Sequence, residues 1–387
     1  MNAGPGCDPE RLARLLRDEL TEDEKTETVA HLDGCAGCQL RIDRLAGSGW
    51  WDDAHRLADD GLDYGLVSDL DSDRTGAGGF GWGVGAEGLV LDFLEPPEAA
   101  GHLGRLGPYQ VVEVIGRGGM GVVLKAHDPA LNRFVAIKVL APHLTGGAAA
   151  RRRFAREAKA AAAVSHEHVV AIHAVDAAGK FPYLVMQYVA GKSLQNRIDA
   201  EGPLATIDIL RIGMQAASGL AAAHAQGLIH RDVKPSNILL ENGIERVRLT
   251  DFGLALAVDD ASMTQSGLIA GTPQYMAPEQ ACGEAVDHRA DLFSLGSVLY
   301  AMAAGHPPFR AESTMAVLRR VSDREARPIR EVNPEVPDWL AAVIDRLHAK
   351  DPDQRFPSAA EVAGRLGEHL AGGQPSPARR APVRPAT

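Results

Sequence analysis

Three side chains tipped with oxygen stand at fixed intervals in one stretch of the chain: Asp232, Asn237 and Asp251. Between the second and the third lie an apolar run, Ile238-Leu239-Leu240, then a turn at Glu241-Asn242-Gly243, then a second run from Val247 to Thr250. Two short strands joined by such a turn read as a hairpin. A hairpin here returns Asp251 to the side of Asn237. A carboxylate and an amide that converge are hard oxygen donors, suited to Mg²⁺ carrying phosphate groups. Asp232 is then free to take a proton from an incoming hydroxyl.

Other elements must bring phosphates and a hydroxyl to that point. Tyr109 to Ile115 alternates and is rich in valine, so it reads as a strand. Gly116-Arg117-Gly118-Gly119-Met120-Gly121 follows, and then Val122-Val123-Leu124-Lys125 as a second strand. Glycines at this spacing also open dinucleotide-binding units, but there a helix follows, whereas here β-branched residues do. Without Cβ atoms, the turn lets backbone N–H groups approach phosphate closely. Val135-Ala136-Ile137-Lys138 fits a third strand that ends on a lysine. Ala148 to Val164 has helical periodicity, with Phe154, Glu157, Ala161 and Val164 along one face. Glu157 is a carboxylate on an apolar stripe, where it needs a partner. Phe181 to Val189 is apolar and strand-like, and Ile209 to His224 is helical.

The run His230-Arg231-Asp232-Val233-Lys234-Pro235-Ser236-Asn237, followed by Asp251-Phe252-Gly253, resembles the signatures of the protein kinase family. Lys234, two residues after Asp232, is the form seen in its Ser/Thr-specific members, and the chain resembles the bacterial eukaryotic-like (Hanks-type) kinases. The resemblance covers about residues 109–370. It implies an α+β, bilobal fold, with a small β-rich lobe and a larger helical one. It also implies ATP with Mg²⁺ or Mn²⁺, and protein substrates. Asp232 and Lys234 become the catalytic pair, and Asn237 and Asp251 the Mg²⁺ ligands. ATP falls to Ile115, Gly116, Arg117, Gly118, Gly119, Met120, Gly121, Val122, Val123, Ala136, Lys138 and Glu157, with Lys138 paired to Glu157. Met186 stands as gatekeeper, and the backbone of Gln187 and Val189 faces adenine. Leu254 to Glu279 corresponds to the activation segment, where Thr264 and Ser266 stand at the spacing phosphorylated in bacterial relatives and Arg231 reads the phosphate. Glu279 is expected to pair with Arg355. A dimer of catalytic domains, each phosphorylating the other, is compatible with the family.

At 387 residues the chain suits two or three domains. Its net charge of −11 lacks the basic footprint of a nucleic-acid binder. No signal-peptide pattern opens it, and its apolar runs fall short of the ~18 residues of a membrane span, so a cytoplasmic protein is expected. Residues 51–100 hold twelve Asp or Glu against two Arg. With its glycines, the stretch 47–107 reads as a flexible acidic linker before a kinase domain over 108–370, and 371–387 as a disordered Pro/Arg-rich tail. Three of the four cysteines fall within the first 38 residues. His31, Cys35 and Cys38, with Cys7, supply four ligands of the kind that close a tetrahedral Zn²⁺ site. Residues 1–46 also show three helical stretches, Glu10 to Leu20, one running to Leu32 and Gln39 to Leu45, with a capping box at Thr21 and Glu24 opening the second. They resemble the zinc-binding anti-sigma module, which implies a protein partner for it. A redox pair or incidental cysteines beside a surface histidine are the plainer readings.

Two rivals come from outside enzymology. A pseudokinase keeps the fold without the chemistry, but Lys138, Asp232, Asn237 and Asp251 are all present. An adaptor would use the zinc module to capture a sigma factor or other partner, leaving phosphorylation secondary.

Overall fold

The computed structural model describes residues 24, 84–85, 88–89, 91, 93–98, 101–118, 121–141, 148–242, 246–252 and 272–372. The chain divides into two compact units, Met1–Asp69 and Leu70–Thr387. Every strand and helix named below lies in the second. Cys7, His31, Cys35 and Cys38 lie outside the described residues.

Strands rich in valine and isoleucine build the smaller lobe. β1 (Val84–Gly85) and β2 (Gly88–Leu89) pair only with each other, in a two-stranded sheet of their own. β3 (Gly104–Leu106), β4 (Tyr109–Gly118), β5 (Gly121–Asp128), β6 (Arg133–Leu140), β7 (Ile172–Asp176) and β8 (Tyr183–Gln187) form a six-stranded antiparallel sheet in the order β3-β4-β5-β6-β8-β7. Side chains alternate between its faces. One face buries Val111, Leu124, Ala126, Val135, Ile137, Val139 and Val185 together. Alternation leaves Val123, Ala136 and Lys138 on the other. α1 (Ala148–Ala162) turns Phe154 and Ala158 against Leu140 and Leu184.

The larger lobe is helical. β9 (Gly191–Ser193) leads into α2 (Leu194–Glu201), capped where Ser193 Oγ accepts from the Asn196 N–H at 3.1 Å. α3 (Thr206–His224) follows, and then the hairpin β10 (Ile238–Glu241) and β11 (Arg246–Leu249). Short α4 (Pro278–Ala281) precedes α5 (Arg289–Ala304), which is apolar on nearly every side and buried throughout its middle, as a central helix must be. α6 (Thr314–Asp323), α7 (Ile329–Val332), α8 (Asp338–Leu347) and α9 (Ala359–Gly372) complete the lobe. Ile212, Ala216 and Leu220 of α3 share one core with Leu295 and Leu299 of α5, Leu340 and Ile344 of α8, and Val362 and Leu366 of α9.

One boundary differs from the reading by composition. Part of the stretch taken as linker belongs to the sheet: Phe93 and Leu106 are buried in the small lobe's core, and β3 is its edge strand. A few apolar anchors (Leu91, Phe93, Leu94, Leu106) are enough to fold a segment whose average composition is polar. Among the described residues, the segment packed on this sheet's core begins at Leu91.

Candidate active site

The hairpin forms in the register its sequence dictates, with Ile238 opposite Leu249 and Glu241 opposite Arg246. It closes with the Thr250 N–H donating to the Asn237 carbonyl at 3.0 Å, which brings the residue before Asp251 against Asn237. Asp251 adopts φ 64°, a left-handed conformation that a non-glycine residue holds only when its surroundings impose it. Arg231, beside Asp232, does the same at φ 63°.

Buried side chains impose these conformations. The carboxylate of Asp291, fully buried on α5, accepts from the N–H groups of His230 at 2.8 Å and Arg231 at 2.7 Å, and from His224 Nε2 at 2.7 Å. His230 Nε2 donates to the Thr250 carbonyl at 2.9 Å, so its Nδ1 is the acceptor for the Asp232 N–H at 3.3 Å. Its ring lies 4.4 Å from that of Phe252. Gln280 on α4 donates to the Arg231 carbonyl at 2.9 Å. The loop is thus pinned from α5, from Thr250 just after β11, and from α4 at once.

The polar cluster is compact. Asp232 Oδ2 lies 3.0 Å from Lys234 Nζ and accepts from Asn237 Nδ2 at 3.0 Å. The same amide nitrogen reaches the Asp232 carbonyl at 2.9 Å, which leaves Asn237 Oδ1 as the atom that could ligate a metal. Lys234 also donates to Thr272 Oγ1 at 3.2 Å.

Lys138 departs from expectation. Its buried ammonium donates to Asp251 Oδ1 at 2.8 Å, not to Glu157. Two carboxylates compete for one ammonium, and the left-handed turn at Asp251 delivers the nearer one. Glu157 has Arg156 at 3.9 Å. Burial alone would raise the Asp251 carboxyl, but Lys138, with Lys234 and His230, holds it below the ordinary carboxylate range.

Above this cluster, Ala136, Val170 and Met186 form a buried apolar layer with Ile115, Val123, Val189 and Leu239 packed against it. Val170 and Leu239 did not stand out in the sequence. Leu239 lies in an apolar run, and only the alternation of β10 sends it to a different face from Ile238 and Leu240. Val122, expected at the nucleotide, faces the sheet core with Leu124, one residue out of phase with Val123. The Gln187 N–H donates to the Ala171 carbonyl at 2.8 Å, so that N–H is already committed within the protein. Gly118 pairs with Gly121 where β4 turns into β5, while Gly119 and Met120 lie outside the described residues. Gly121 has φ +133°, and a Cβ there would collide with the Val139 carbonyl oxygen, so only glycine fits.

Glu279 and Arg355 meet as expected. The pair is buried and bidentate at 2.7 and 2.8 Å, and the guanidinium also donates to the carbonyls of Ala349, Arg289 and Lys350. Thr264 and Ser266 fall outside the described residues.

Comparison with known proteins agrees with this geometry. The protein kinase domain family matches residues 109–365. The chain is 40% identical over 264 residues to the serine/threonine-protein kinase PknB of Mycolicibacterium smegmatis, covering 67% of this chain and 42% of that protein. It is 39% identical over 264 residues to PknB of Mycobacterium tuberculosis, with the same coverage. It therefore spans about two fifths of the length of these relatives. Among solved structures, the PknI kinase domain of Mycobacterium tuberculosis superposes with a TM-score of 0.57 at 29% identity, covering 70% of this chain and 99% of that one. By motif, by geometry and by these matches, the chain belongs to the protein kinase domain family.

Proposed function

We propose that this chain is a serine/threonine kinase that transfers the γ-phosphoryl group of ATP to protein hydroxyls. The observation that carries the reading is the cluster in which one oxygen of Asp232 is held at 3.0 Å by both Lys234 and Asn237, with the Thr272 hydroxyl on the same lysine. Such a carboxylate is oriented rather than buried in a structural bond, as a base for a hydroxyl must be.

The residues present fit a metal–nucleotide complex. Asn237 and Asp251 offer hard oxygen donors brought together by the hairpin, and the apolar layer from Ile115 to Leu239 suits a purine ring. When bound, Mg²⁺–ATP supplies the phosphoryl group and a cation that neutralises its charge. Lys138 and the turn from Gly116 to Gly121 hold the phosphates. Asp232 orients the acceptor hydroxyl and takes its proton, and Lys234 offsets negative charge developing beside it. Nearly all the rate enhancement on this account is positioning plus electrostatics.

Thr264 and Ser266 are the proposed sites of autophosphorylation, in trans between two copies, with Arg231 reading the phosphate. The test is incubation of the full chain with labelled ATP and Mg²⁺. Label on serine and threonine, with sites between residues 254 and 276, is the expected result; label on neither amino acid contradicts the function, and sites wholly outside that segment contradict the assignment.

Residues 1–46 are proposed as a zinc module using Cys7, His31, Cys35 and Cys38 and docking a protein partner, because so short a segment rarely folds without a staple. Metal analysis of protein purified without chelator decides it: about one Zn²⁺ per chain, lost in Cys35→Ser, is expected. Among the described residues no helix is long and apolar enough to cross a membrane. A cytoplasmic site of action is part of the proposal.

A further inference from the structure

Residues 91, 93–98 and 101–106 precede the stretch matched by the kinase family, which begins at residue 109, yet they are built into the small lobe. The segment doubles back on itself: Glu95 and Arg105 exchange backbone hydrogen bonds of 2.8 and 2.9 Å, and the Arg105 guanidinium sits between the carboxylates of Glu95 and Glu98. The Leu103 N–H donates to the Val111 carbonyl at 2.8 Å, anchoring the strap to β4. Closure depends on Gly104. Its φ is +155°, and a Cβ there would lie 2.7 Å from the Glu95 carbonyl oxygen and 2.8 Å from Leu94 Cβ.

What the strap holds is the turn between β7 and β8. Phe93 is 8% exposed, and its ring lies 5.5 Å from that of Phe181 in that turn. The same turn is gripped twice more. Arg151, in the first part of α1, donates from Nη1 to the Gly179 carbonyl at 3.0 Å. The Leu140 N–H, two residues beyond Lys138 on β6, donates to the Pro182 carbonyl at 3.0 Å. One turn of chain thus links the strap, the helix that carries Glu157 and the strand that carries Lys138.

We propose that the strap formed by residues 93–98 and 101–106 positions α1, with Phe93 working through the Phe181–Gly179 turn and Arg151. The inference rests on the phosphotransfer reading for its effect on rate, but the contact chain can be tested without nucleotide. The turn meets α1 through the Arg151–Gly179 bond and through Ala177, packed against the cluster that holds Phe154 and Ala158, so a turn that loses Phe93 gives the helix freedom to shift. A shift of α1 reaches the strand that carries Lys138 through Phe154 and Ala158, packed against Leu140 and Leu184, without unfolding the lobe, whose core is carried by β4 to β8.

The experiment uses the full chain with Phe93→Ala, Gly104→Ala, Arg151→Ala, the Phe93→Ala/Arg151→Ala double variant and Phe93→Leu. Val111→Ala, buried in the same core on β4, is the control for general destabilisation. Amide hydrogen exchange is followed across residues 148–162 without ATP, and kcat and the KM for ATP are measured well below each variant's melting temperature. Exchange in α1 should quicken about tenfold in Phe93→Ala and Gly104→Ala, relative to exchange in α3. Their kcat should fall roughly three- to tenfold, as expected for a positional coupling between sites. Phe93→Leu should recover most of the loss, and the double variant should lose no more than its worse single, because both act on one line of contacts. Val111→Ala should lower the melting temperature without either effect. Unchanged exchange in α1, losses that multiply in the double variant, or equal quickening in Val111→Ala would each overturn the strap. A wild type that transfers no phosphate contradicts the proposed function instead, and the exchange data still decide the strap.

Discussion

Asp251 and Lys138 form the tightest ion pair of the site, and its strength has consequences that can be measured. The folded protein holds the Asp251 carboxyl below its unfolded value, so the pair stabilises the fold above the ordinary carboxylate range and that contribution is lost as pH falls through the depressed value. Lys138→Met removes the ammonium. The variant should lose phosphotransfer almost entirely and roughly 1–3 kcal/mol of stability at neutral pH, since a mostly buried carboxylate loses its partner. Its acid limb should flatten by the same amount, and urea melts at pH 7 and at pH 3 read both. At this scale much was legible in the residues: Asp232, Asn237 and Lys234 meet because the spacing allows little else. The partner of Lys138 was not, because two carboxylates in different elements compete for it and only three-dimensional placement ranks them. Asp291 opens a family-like run, Asp291 to Gly296, but its role was equally hidden, since its work is to accept from backbone N–H groups, which leave no trace in side-chain pattern.

Among elements, α4 is the one the site leans on most for its size. It is a four-residue helix carrying Glu279, bound to Arg355 below, and Gln280, bound to the Arg231 carbonyl above. A helix that short has no stability of its own. Arg355→Ala leaves a buried carboxylate without its counterion and should cost roughly 3–5 kcal/mol in a denaturant melt. Replacing both partners, Glu279→Gln with Arg355→Met, should recover a good part of that; a double variant as weak as the single would assign the loss to the packing of Arg355 and not to the stranded charge. The strands of the small lobe and the hairpin were readable because β-branched alternation is a strong local signal. β9 was not foreseen, and the strap was averaged away by the acidic residues around its few apolar anchors.

For the molecule as a whole, acid should be felt first at the foot of the larger lobe. His348 is buried among Phe293, Tyr300 and Phe309, and burial, reinforced by Lys350 and Arg355, pushes its pKa down to about 3. Here the folded pKa lies below the unfolded one. The unfolded chain binds the extra proton between roughly pH 6.5 and the depressed value, so stability falls as pH drops through that window. His348→Gln should lower stability at pH 7, through loss of packing and of the Ser297 contact at 3.1 Å, while making the decline between pH 7 and pH 5 shallower. A decline as steep as that of wild type would place the acid sensitivity elsewhere. The bilobal fold follows from the order of elements, strands first and helices after, which the sequence pattern carries openly. The proposed phosphotransfer rests on one carboxylate. Single-turnover transfer from labelled ATP by wild type and Asp232→Asn, with ATP affinity measured separately, tests that directly. The account predicts unchanged affinity and a rate lower by roughly 10²–10⁴, the range of a positioned general base; transfer by Asp232→Asn at the wild-type rate would contradict it.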